Sequence, residues 1–338
     1  MNQVAIVILN YNGKAHLECF LPSVVKHQQD HTLIIADNAS TDDSLEFLKI
    51  NYPSIRIIEN NENYGFAKGY NEALNKIKGK FEYFLLLNND VEVTENWISP
   101  LLHSLQNENV AACQPKILAH NNKNYFEHAG AAGGFIDKNY FPFCRGRIFD
   151  STEEDDLQYD TEEKVSWTSG AAMLIKTSIF FEVGGFDEDF FAHMEEIDLC
   201  LRIQKKGYEL RCNPKSSVYH LGGGTMPYNS PRKVYLNFRN NLFLIVKNHP
   251  RFLFPKLLTR MVYDFLAALK FLSEGKLKLI WCILSAHLSV YKNLPLLLNK
   301  RKIIKANKFP ILQYNGSIIW AFFAQKNKKY SSLNKRLF

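Results

Sequence analysis

The chain has 338 residues, 46% of them hydrophobic and 22% charged, which predicts about two domains with sizeable cores and excludes a disordered protein. Its six cysteines form no C-x-x-C pair and no zinc-type spacing, so we expect reduced structural cysteines in a cytosolic protein. The net charge of +7 is unevenly divided: residues 1–246 carry 23 basic and 32 acidic side chains, and residues 247–338 carry 18 basic and 2 acidic ones. A basic C-terminal region indicates an anionic partner, either membrane lipid or nucleic acid.

The N-terminal residues carry no recognisable targeting signal. Met1 leads at once into a strand-like apolar run, without the basic and apolar regions of a signal peptide. No uninterrupted apolar run reaches about 18 residues, the length that a spanning helix needs. We therefore expect a cytoplasmic protein without a signal peptide or a membrane-spanning helix.

Strand-like and helix-like patterns alternate over the first hundred residues. Apolar runs predict four strands, at 4–9, 33–36, 55–58 and 83–87. The stretches between them predict helices, the last of which covers 66–77. Alternation at this spacing predicts a parallel sheet with helices on its faces.

Polar clusters follow three of these strands, at 10–13, 37–41 and 88–90. Ligands of such sheets bind beyond the carboxyl ends of the strands, so we expect the three clusters to form one site. Asp37 could accept hydrogen bonds from a base or ribose, or it could simply form a turn. Asp90 could hold a hard divalent cation that also binds substrate phosphates, or it could mark the end of a strand.

The second part of the chain contains an acidic insertion and a pair of adjacent glutamates. Residues 119–165 are interpreted as an irregular insertion, with a substrate-facing flap as one interpretation, and their acid run at 153–156 as solvated surface. Glu195 and Glu196 open a predicted helix that ends near Lys205. They either complement the helix dipole or act as a general base with a neighbouring carboxylate.

From about residue 231 onward the pattern is helical. Before it, His220 precedes a flexible glycine-rich loop at 222–224. Apolar residues share one face over 257–272, and a similar stretch covers 277–291, followed by the basic run that begins at Lys300. We expect these amphipathic helices to bind the inner face of the cytoplasmic membrane without crossing it. The alternatives are packing on the catalytic domain or a dimer contact.

Three common nucleotide and hydrolase signatures are absent from the sequence. No G-x-G-x-x-G follows the first strand, which argues against a dinucleotide dehydrogenase. A P-loop motif and a G-x-S-x-G elbow are also missing, which argues against P-loop NTPases and α/β-hydrolases.

Six segments occur in a fixed order, at 7–13, 37–42, 63–67, 87–90, 184–188 and 195–202. Together they resemble the family 2 inverting glycosyltransferases, especially the rhamnosyltransferase-like branch, over roughly residues 3–225. The resemblance implies an α/β GT-A fold, a Rossmann-like mixed sheet flanked by helices, with a C-terminal helical appendage. It divides the chain into a catalytic domain at 1–230 and a basic amphipathic region at 231–338.

The resemblance also implies roles for individual residues. Donor nucleotide binding is implied for Asn10, Tyr11, Asn12, Asp37, Asn63, Gly65 and Asn89; a metal site for Mg²⁺ or Mn²⁺ at Asp90 and His220; donor sugar or acceptor contacts for Trp167, Ser169, Gly170 and Asp198; and catalysis for Glu196 and Glu195. Two departures from the common pattern stand out: Asn88 replaces a frequent Asp, and the acid pair is Glu-Glu rather than Glu-Asp. The choice of base between Glu195 and Glu196 therefore stays open.

The implied reaction moves a rhamnose-like or other hexose from a nucleoside-diphosphate sugar to a hydroxyl of a glycan or lipid-linked acceptor in cell-surface polysaccharide synthesis. A sugar-1-phosphate nucleotidyltransferase is the alternative enzyme, but it would need an arginine in the loop at 10–14. A third interpretation is a non-catalytic binding protein. We expect a membrane partner and no nucleic acid, because the basic residues are interleaved with long apolar stretches. Oligomerisation is left open.

Overall fold

The computed structural model describes residues 2–222, 230–305 and 309–338. The expected flexible loop at 222–224 lies outside the described residues except for Gly222.

The described strands and helices follow one another in chain order. They are β1 (Asn2–Asn10), α1 (Lys14–His27), β2 (Thr32–Asp37), α2 (Ser44–Asn51), β3 (Arg56–Glu59), α3 (Gly65–Asn75), β4 (Phe81–Asn88), β5 (Val91–Val93), α4 (Ser99–Leu105), β6 (Val110–Ala119), β7 (Asn122–Phe126), β8 (Gly134–Ile136), β9 (Pro142–Cys144), β10 (Arg147–Ile148), β11 (Ser151–Thr152), β12 (Glu163–Lys164), β13 (Ala172–Lys176), α5 (Thr177–Glu182), α6 (Glu195–Lys205), β14 (Glu209–His220), α7 (Pro231–Asn248), α8 (Leu253–Ser273) and α9 (Leu277–Lys305).

A mixed sheet forms the centre of the molecule, with strand order β12-β14-β6-β13-β4-β1-β2-β3. β1 is parallel to β2 and to β4, and β2 is parallel to β3, so the first four predicted strands form the parallel half. β13 runs antiparallel to both β4 and β6 and thereby joins the two halves. The predicted α/β class with a mixed sheet is confirmed.

The burial of both faces of β1 explains why its sequence is apolar without interruption. Val4, Ile6 and Ile8 pack in one core layer with α1 and α4, whereas Ala5 and Val7 pack in the opposite layer with α3 and α6. All five side chains are at most 2% exposed. A strand that is buried on both faces has no solvent side and therefore shows no polar alternation.

The interpretation of residues 119–165 as irregular is wrong. They include β7 to β12, and β8 to β11 form a second, antiparallel sheet. The acid run is not solvated throughout: Glu153 is buried and accepts a hydrogen bond from the hydroxyl of Tyr159 at 2.9 Å, and Asp155 pairs with Lys116 at 2.7 Å. Glu153 also accepts a hydrogen bond from the backbone N–H of Tyr330 at 2.9 Å. Lys116 and Tyr330 come from distant parts of the chain, so the local sequence carries no sign of these contacts.

The helices α7 and α9 pack on the 3₁₀ turn at Glu188–Phe190, where Leu242, Phe243 and Val290 share a buried hydrophobic cluster with Phe190. They follow residue 230, the boundary that we expect between a catalytic domain and a helical region. That division stays a prediction.

A buried ionic network joins these helices to the body. Lys247 on α7 pairs with Asp198 on α6 at 2.8 Å and also with Asp187, and Lys300 on α9 pairs with Asp187 at 2.6 Å. Arg202 completes the set at 2.8 Å from Asp198. Burial raises the pKa of the Asp198 carboxyl, but attraction to Lys247 and Arg202 outweighs it and holds that pKa well below its usual range.

Replacing Lys247 with methionine tests how much this network stabilises the fold. Lys247→Met leaves two buried carboxylates with one cation fewer, so we expect the free energy of unfolding to fall by about 3 kcal/mol. Urea unfolding measures the change. Lys49→Met, at an exposed lysine on α2, should shift the free energy by less than about 0.5 kcal/mol. Equal effects of the two substitutions would contradict a stabilising role.

Candidate active site

The carboxyl ends of β1, β2 and β4 lie side by side at one edge of the sheet. Asn10 pairs in register with Asp37, and Leu9 pairs with Asn88. The three polar clusters that follow these strands are therefore neighbours, as the parallel topology requires.

Asp37 is the centre of a buried hydrogen-bond network at this edge. Its Oδ1 accepts from the amide of Asn10 at 3.1 Å and from the hydroxyl of Ser40 at 2.6 Å, and its Oδ2 accepts from the backbone N–H of Ser40 at 2.8 Å. Asn89 donates to Oδ1 of Asn10 at 2.9 Å. The bonds from Ser40 confirm that Asp37 forms a turn, and its contact with a nucleotide stays a prediction.

The loop after β1 closes over the loop after β2. The backbone N–H of Asn12 donates to Oγ of Ser40 at 2.9 Å, and the N–H of Thr41 donates to Oδ1 of Asn12 at 2.7 Å. Asn12 has a φ of 47°, a left-handed conformation that asparagine tolerates better than most residues. Tyr11, between these contacts, leaves its ring 41% exposed at the surface.

Asn63 and Gly65 are connected to the same edge through Asn38. The amide of Asn38 donates to Oδ1 of Asn63 at 3.2 Å and to the carbonyl of Gly65 at 2.9 Å. Gly65 has a φ of +73°, and a Cβ there would lie 2.7 Å from the ring of Phe191. Only glycine fits this position without strain.

His220, at the end of β14, lies between two carboxylates. Its Nε2 is 3.1 Å from Oδ1 of Asp90, and its Nδ1 is 3.3 Å from Oε2 of Glu127. The amide of Asn88 lies 3.4 Å from Nε2. The side chains of His220, Asp90 and Glu127 are 5–7% exposed, so the charges face one another away from bulk water.

This arrangement shifts the pKa of all three groups. Burial lowers the pKa of His220, but Asp90 and Glu127 outweigh it and raise that pKa to about 10. Burial raises the pKa of Asp90 and of Glu127, and the imidazolium of His220 outweighs it in both, so each carboxyl titrates below its ordinary value. The site therefore strongly favours a positive charge between its two carboxylates.

The acid pair opens α6 in a buried environment. Glu195 is 5% exposed, and Glu196 is half-buried. Burial and the charge of Glu196 raise the pKa of Glu195 well above its ordinary value, and burial raises the pKa of Glu196 to about 7. Oε2 of each residue has no hydrogen-bond partner among the described residues. Each glutamate of the pair thus has a carboxyl oxygen without a hydrogen-bond partner in the described part of the chain, and a raised pKa, as a general base requires.

Gly170 brings the acid pair to the end of β4. A Cβ built on Gly170 would lie 3.7 Å from the Cβ of Glu196 and 3.1 Å from the ring of Phe66. The next residue, Ala171, accepts a hydrogen bond from the backbone N–H of Asn88 at 3.0 Å. Glu196 therefore lies next to the strand end that precedes Asp90.

Ser169 lies beside this contact, whereas Trp167 and Asp198 have other partners, and their contacts with sugar or acceptor stay predictions. Ser169 donates through its hydroxyl to the carbonyl of Ala129 at 2.6 Å. Trp167 is buried and donates through Nε1 to the carbonyl of Phe135 at 2.9 Å. Asp198 is 0% exposed and belongs to the ionic network described above.

Sequence reasoning missed Glu127 and Asn38. Glu127 lies in the insertion, and its partner His220 is far from it in the sequence, so no local pattern marked it. Asn38 directly follows Asp37 in the segment at 37–42, and the asparagine-rich composition of 60–63 was the available signal for its contacts.

Comparison with known proteins adds a family match. The sequence model of the family described as Glycosyl transferase family 2 matches residues 5–178, just over half of the chain. The N-acetylglucosaminyl-diphospho-decaprenol L-rhamnosyltransferase of Mycobacterium tuberculosis is 25% identical over 229 residues, which cover 64% of this chain and 75% of that protein.

Two solved structures share the fold. The mannosyltransferase PcManGT from Pyrobaculum calidifontis, in complex with GDP-Man and Mn²⁺, superposes with a TM-score of 0.51 at 15% identity and covers 90% of this chain and 85% of that one. GalNAc-T7 with UDP, GalNAc and Mn²⁺ gives a TM-score of 0.56 at 18% identity over 73% of this chain, and the match spans 48% of the GalNAc-T7 chain, about half its length.

These findings confirm the predicted GT-A fold and the resemblance to the rhamnosyltransferase-like branch, and they do not favour a nucleotidyltransferase. The chain therefore belongs to glycosyl transferase family 2, and it is an inverting glycosyltransferase.

Proposed function

We propose that this glycosyltransferase moves a rhamnose-like sugar or another hexose from a nucleoside-diphosphate sugar to a hydroxyl of a glycan or lipid-linked acceptor in cell-surface polysaccharide synthesis. The observation that carries the proposal is the approach of Glu196 to Gly170, because Ala171 binds the backbone of Asn88 and the carboxylate therefore lies beside the strand end that leads to Asp90. The name of the mycobacterial relative, with L-rhamnose and a decaprenol-linked acceptor, supports the sugar and acceptor classes.

The network around Asp37 is the proposed nucleotide site. Asn10, Asn12 and Asn89 fix two loops beside Asp37, while the ring of Tyr11 stays exposed at the surface. Asn63 and Gly65 extend the same edge through Asn38. A loop cluster held by its own hydrogen bonds can bind a nucleotide without a large ordering cost.

Asp90 and His220 would hold a divalent cation, Mg²⁺ or Mn²⁺. Within the described ranges, no three His, Cys, Asp or Glu side chains form a metal group, so the protein would supply two ligands and leave positions for water and phosphate oxygens. The donor set fits, because Glu127 faces Nδ1 of His220, as in metal-bound histidines, and a bound cation would replace the proton that Nε2 directs at Asp90. A bound cation would neutralise the charge of the leaving diphosphate.

Glu196 is the proposed base. An acceptor hydroxyl attacks the anomeric carbon from the face opposite the leaving diphosphate, and Glu196 accepts its proton, so the configuration inverts in one displacement without an enzyme nucleophile. Glu195 is more deeply buried and the charge of Glu196 raises its pKa further, so we assign the base to Glu196, the more accessible member of the pair. Ser169 and Gly170 lie beside it, toward the donor sugar and the acceptor.

The helix α8 supports peripheral membrane binding, because its burial pattern is inverted. Its buried residues are Arg260 and Asp264, which pair with each other at 2.6 Å, and His287 of α9 lies 2.9 Å from Asp264. Its apolar residues face outward, with Phe265 62% exposed. A helix on the surface of a soluble protein normally buries its apolar residues and exposes its polar ones. A large exposed apolar face therefore indicates an interaction site.

The exposed apolar face continues along α9 at helical spacing. Its members share more than 40% exposure and lie three or four residues apart: Leu277, Trp281, Leu284, Leu288 and Tyr291. No described helix is long and apolar enough to cross a bilayer. We therefore propose that α8 and α9 lie on an anionic membrane surface, with nearby lysines contributing about 1 kcal/mol each.

The donor is the first point to test. A panel of UDP-, GDP- and dTDP-sugars, assayed for release of the nucleoside diphosphate with water as acceptor, identifies the preferred donor. We expect one sugar to be hydrolysed measurably, and that donor serves as the probe below. Hydrolysis of none, together with no binding by calorimetry, would contradict the proposed function.

Removing the proposed metal ligand should abolish transfer. We expect Asp90→Asn to lower turnover of the probe donor by about 100-fold or more, since the leaving diphosphate loses its charge stabilisation. Its matched control is Glu92→Gln, two residues away, where the carboxylate pairs with Lys123 at 2.8 Å. Calorimetric titration with the donor, with Mn²⁺ and then with EDTA, measures binding. Full activity in EDTA would refute the metal assignment.

The proposed base should control the pH dependence. Because only ionised Glu196 accepts a proton, we expect turnover to rise with pH through about 7 and then level off. Glu196→Gln should lose about 10²–10⁴ in turnover and keep donor affinity. Glu195→Gln is the comparison variant and should retain more activity. If Glu195→Gln is inactive and Glu196→Gln is active, the two roles are exchanged.

Membrane binding is testable with vesicles. The full-length protein should sediment with phosphatidylglycerol vesicles at low salt, and less so at high salt, because part of the attraction is electrostatic. The double variant Phe265→Glu and Trp281→Glu should stay in the supernatant. Ile50→Glu changes an equally exposed apolar residue on α2 and should still sediment. If wild type stays in the supernatant and forms a dimer instead, the exposed face is a subunit contact.

A further inference from the structure

The segment between the 3₁₀ turn and α6 has an unusual backbone. Three of its residues, none of them glycine, adopt left-handed φ angles: Phe191 at 49°, His193 at 69° and Met194 at 69°. This conformation is unfavourable for bulky L-residues, so neighbouring groups must hold it. Met194 immediately precedes Glu195 and is the N-cap of α6. The backbone path of this segment therefore sets where α6 begins and how the side chains of Glu195 and Glu196 are placed.

Asn240 on α7 holds the segment by its backbone. Its Nδ2 lies within hydrogen-bond distance of three carbonyls, those of Phe190 at 3.1 Å, Ala192 at 2.8 Å and His193 at 2.7 Å, so its two N–H groups are shared among them. Asn240 is 0% exposed, so water cannot replace these bonds. Since a poorly solvated carbonyl without a donor is costly, Asn240 stabilises this backbone path.

Other contacts fix Asn240 and the segment from both sides. Nε of Arg239 donates to Oδ1 of Asn240 at 2.8 Å, which orients the amide so that its nitrogen faces the carbonyls. On the opposite side, the backbone N–H of Phe66 donates to the carbonyl of Phe191 at 2.9 Å. The ring of Phe66 also lies against Gly170, next to Glu196.

We propose that Asn240 is a positioning residue for the general base: by binding the carbonyls of residues 190, 192 and 193, it keeps the strained segment in place and holds Glu196 beside Gly170. The inference rests on the proposed role of Glu196. Asn240 does not touch the reacting atoms and acts only through the backbone that precedes the acid pair.

The pH profile reports on this positioning. Among the described titratable groups, Glu195 and the thiol of Cys200 interact with the Glu196 carboxyl. Burial is the main cause of its raised pKa. If the segment relaxes, water reaches Glu196 and its pKa falls toward the ordinary 4.5. A base with a lower pKa is ionised at a lower pH, so the acidic limb of the profile moves down.

The test substitution is Asn240→Leu, which has a similar size, removes the two donors and adds no charge that would itself move the pKa of Glu196. We expect turnover of the probe donor to fall about 10- to 100-fold with the donor KM nearly unchanged, and the acidic limb to move down by about one pH unit or more. The control is Asn213→Leu: Asn213 is also buried, but it lies on β14 and its amide donates to the carbonyl of Pro100 at 3.0 Å. Asn213→Leu should leave the limb where it is.

A second variant covers the case in which Asn240→Leu does not fold, as judged by circular dichroism. Asn240→Ser keeps one hydroxyl donor and should show a smaller shift of the limb in the same direction. An unmoved limb in a folded Asn240 variant, or equal effects of the Asn240 and Asn213 variants, would overturn the inference. If instead Glu196→Gln keeps wild-type turnover, the proposed base itself is wrong.

Discussion

The structure depends on charge that is buried between the catalytic body and the C-terminal helices. Asp187 and Asp198 lie beneath α7 and α9, and Lys247 and Lys300 come from those helices to meet them. Neither partner is tolerable alone in such surroundings, because a buried ion without its counter-ion is strongly destabilising. The helices α7 and α9 therefore cannot separate from the rest of the protein without taking the lysine partners away from Asp187 and Asp198. Because Asp198 lies on α6, the ion pairs also connect these helices to the segment that carries the acid pair.

Buried charge also explains the surface of α8. Its polar residues, Arg260 and Asp264, are directed inward, where His287 and Asn241 bind them. Because the inner stripe of the helix is polar, its apolar residues are left on the outside, next to the lysines of this basic region. The excess of basic residues after residue 246 and the exposed apolar face are thus features of the same surface. An anionic bilayer satisfies both, since it offers phosphate groups to the lysines and acyl chains to the apolar residues.

Much of the fold was predictable because it follows from local patterns. Apolar runs marked the strands, and the parallel order placed the clusters after β1, β2 and β4 at one edge. The insertion was not predictable, because its strands are short and its acids, Glu153 and Asp155, have partners far along the chain in Tyr330 and Lys116. Glu127 escaped notice for the same reason: its contact with His220 exists only after the insertion folds against β14. Asp198 shows the opposite case, in which a motif residue is fully occupied by the ionic network.

The position of the base illustrates why motifs and long-range contacts must be considered together. The adjacent glutamates are visible in the sequence, but their acidity comes from burial, and burial comes from how α6 enters the body. That entry follows a backbone path which bulky residues avoid unless other elements impose it. One imposing element is α7, which also carries Lys247 and packs against the helices with the exposed apolar face. If the acceptor is anchored in a bilayer, as we propose, the base must keep a fixed position relative to that bilayer. The helix α7 contacts both the acid-pair segment and the helices with the exposed apolar face, and it would supply that fixed connection.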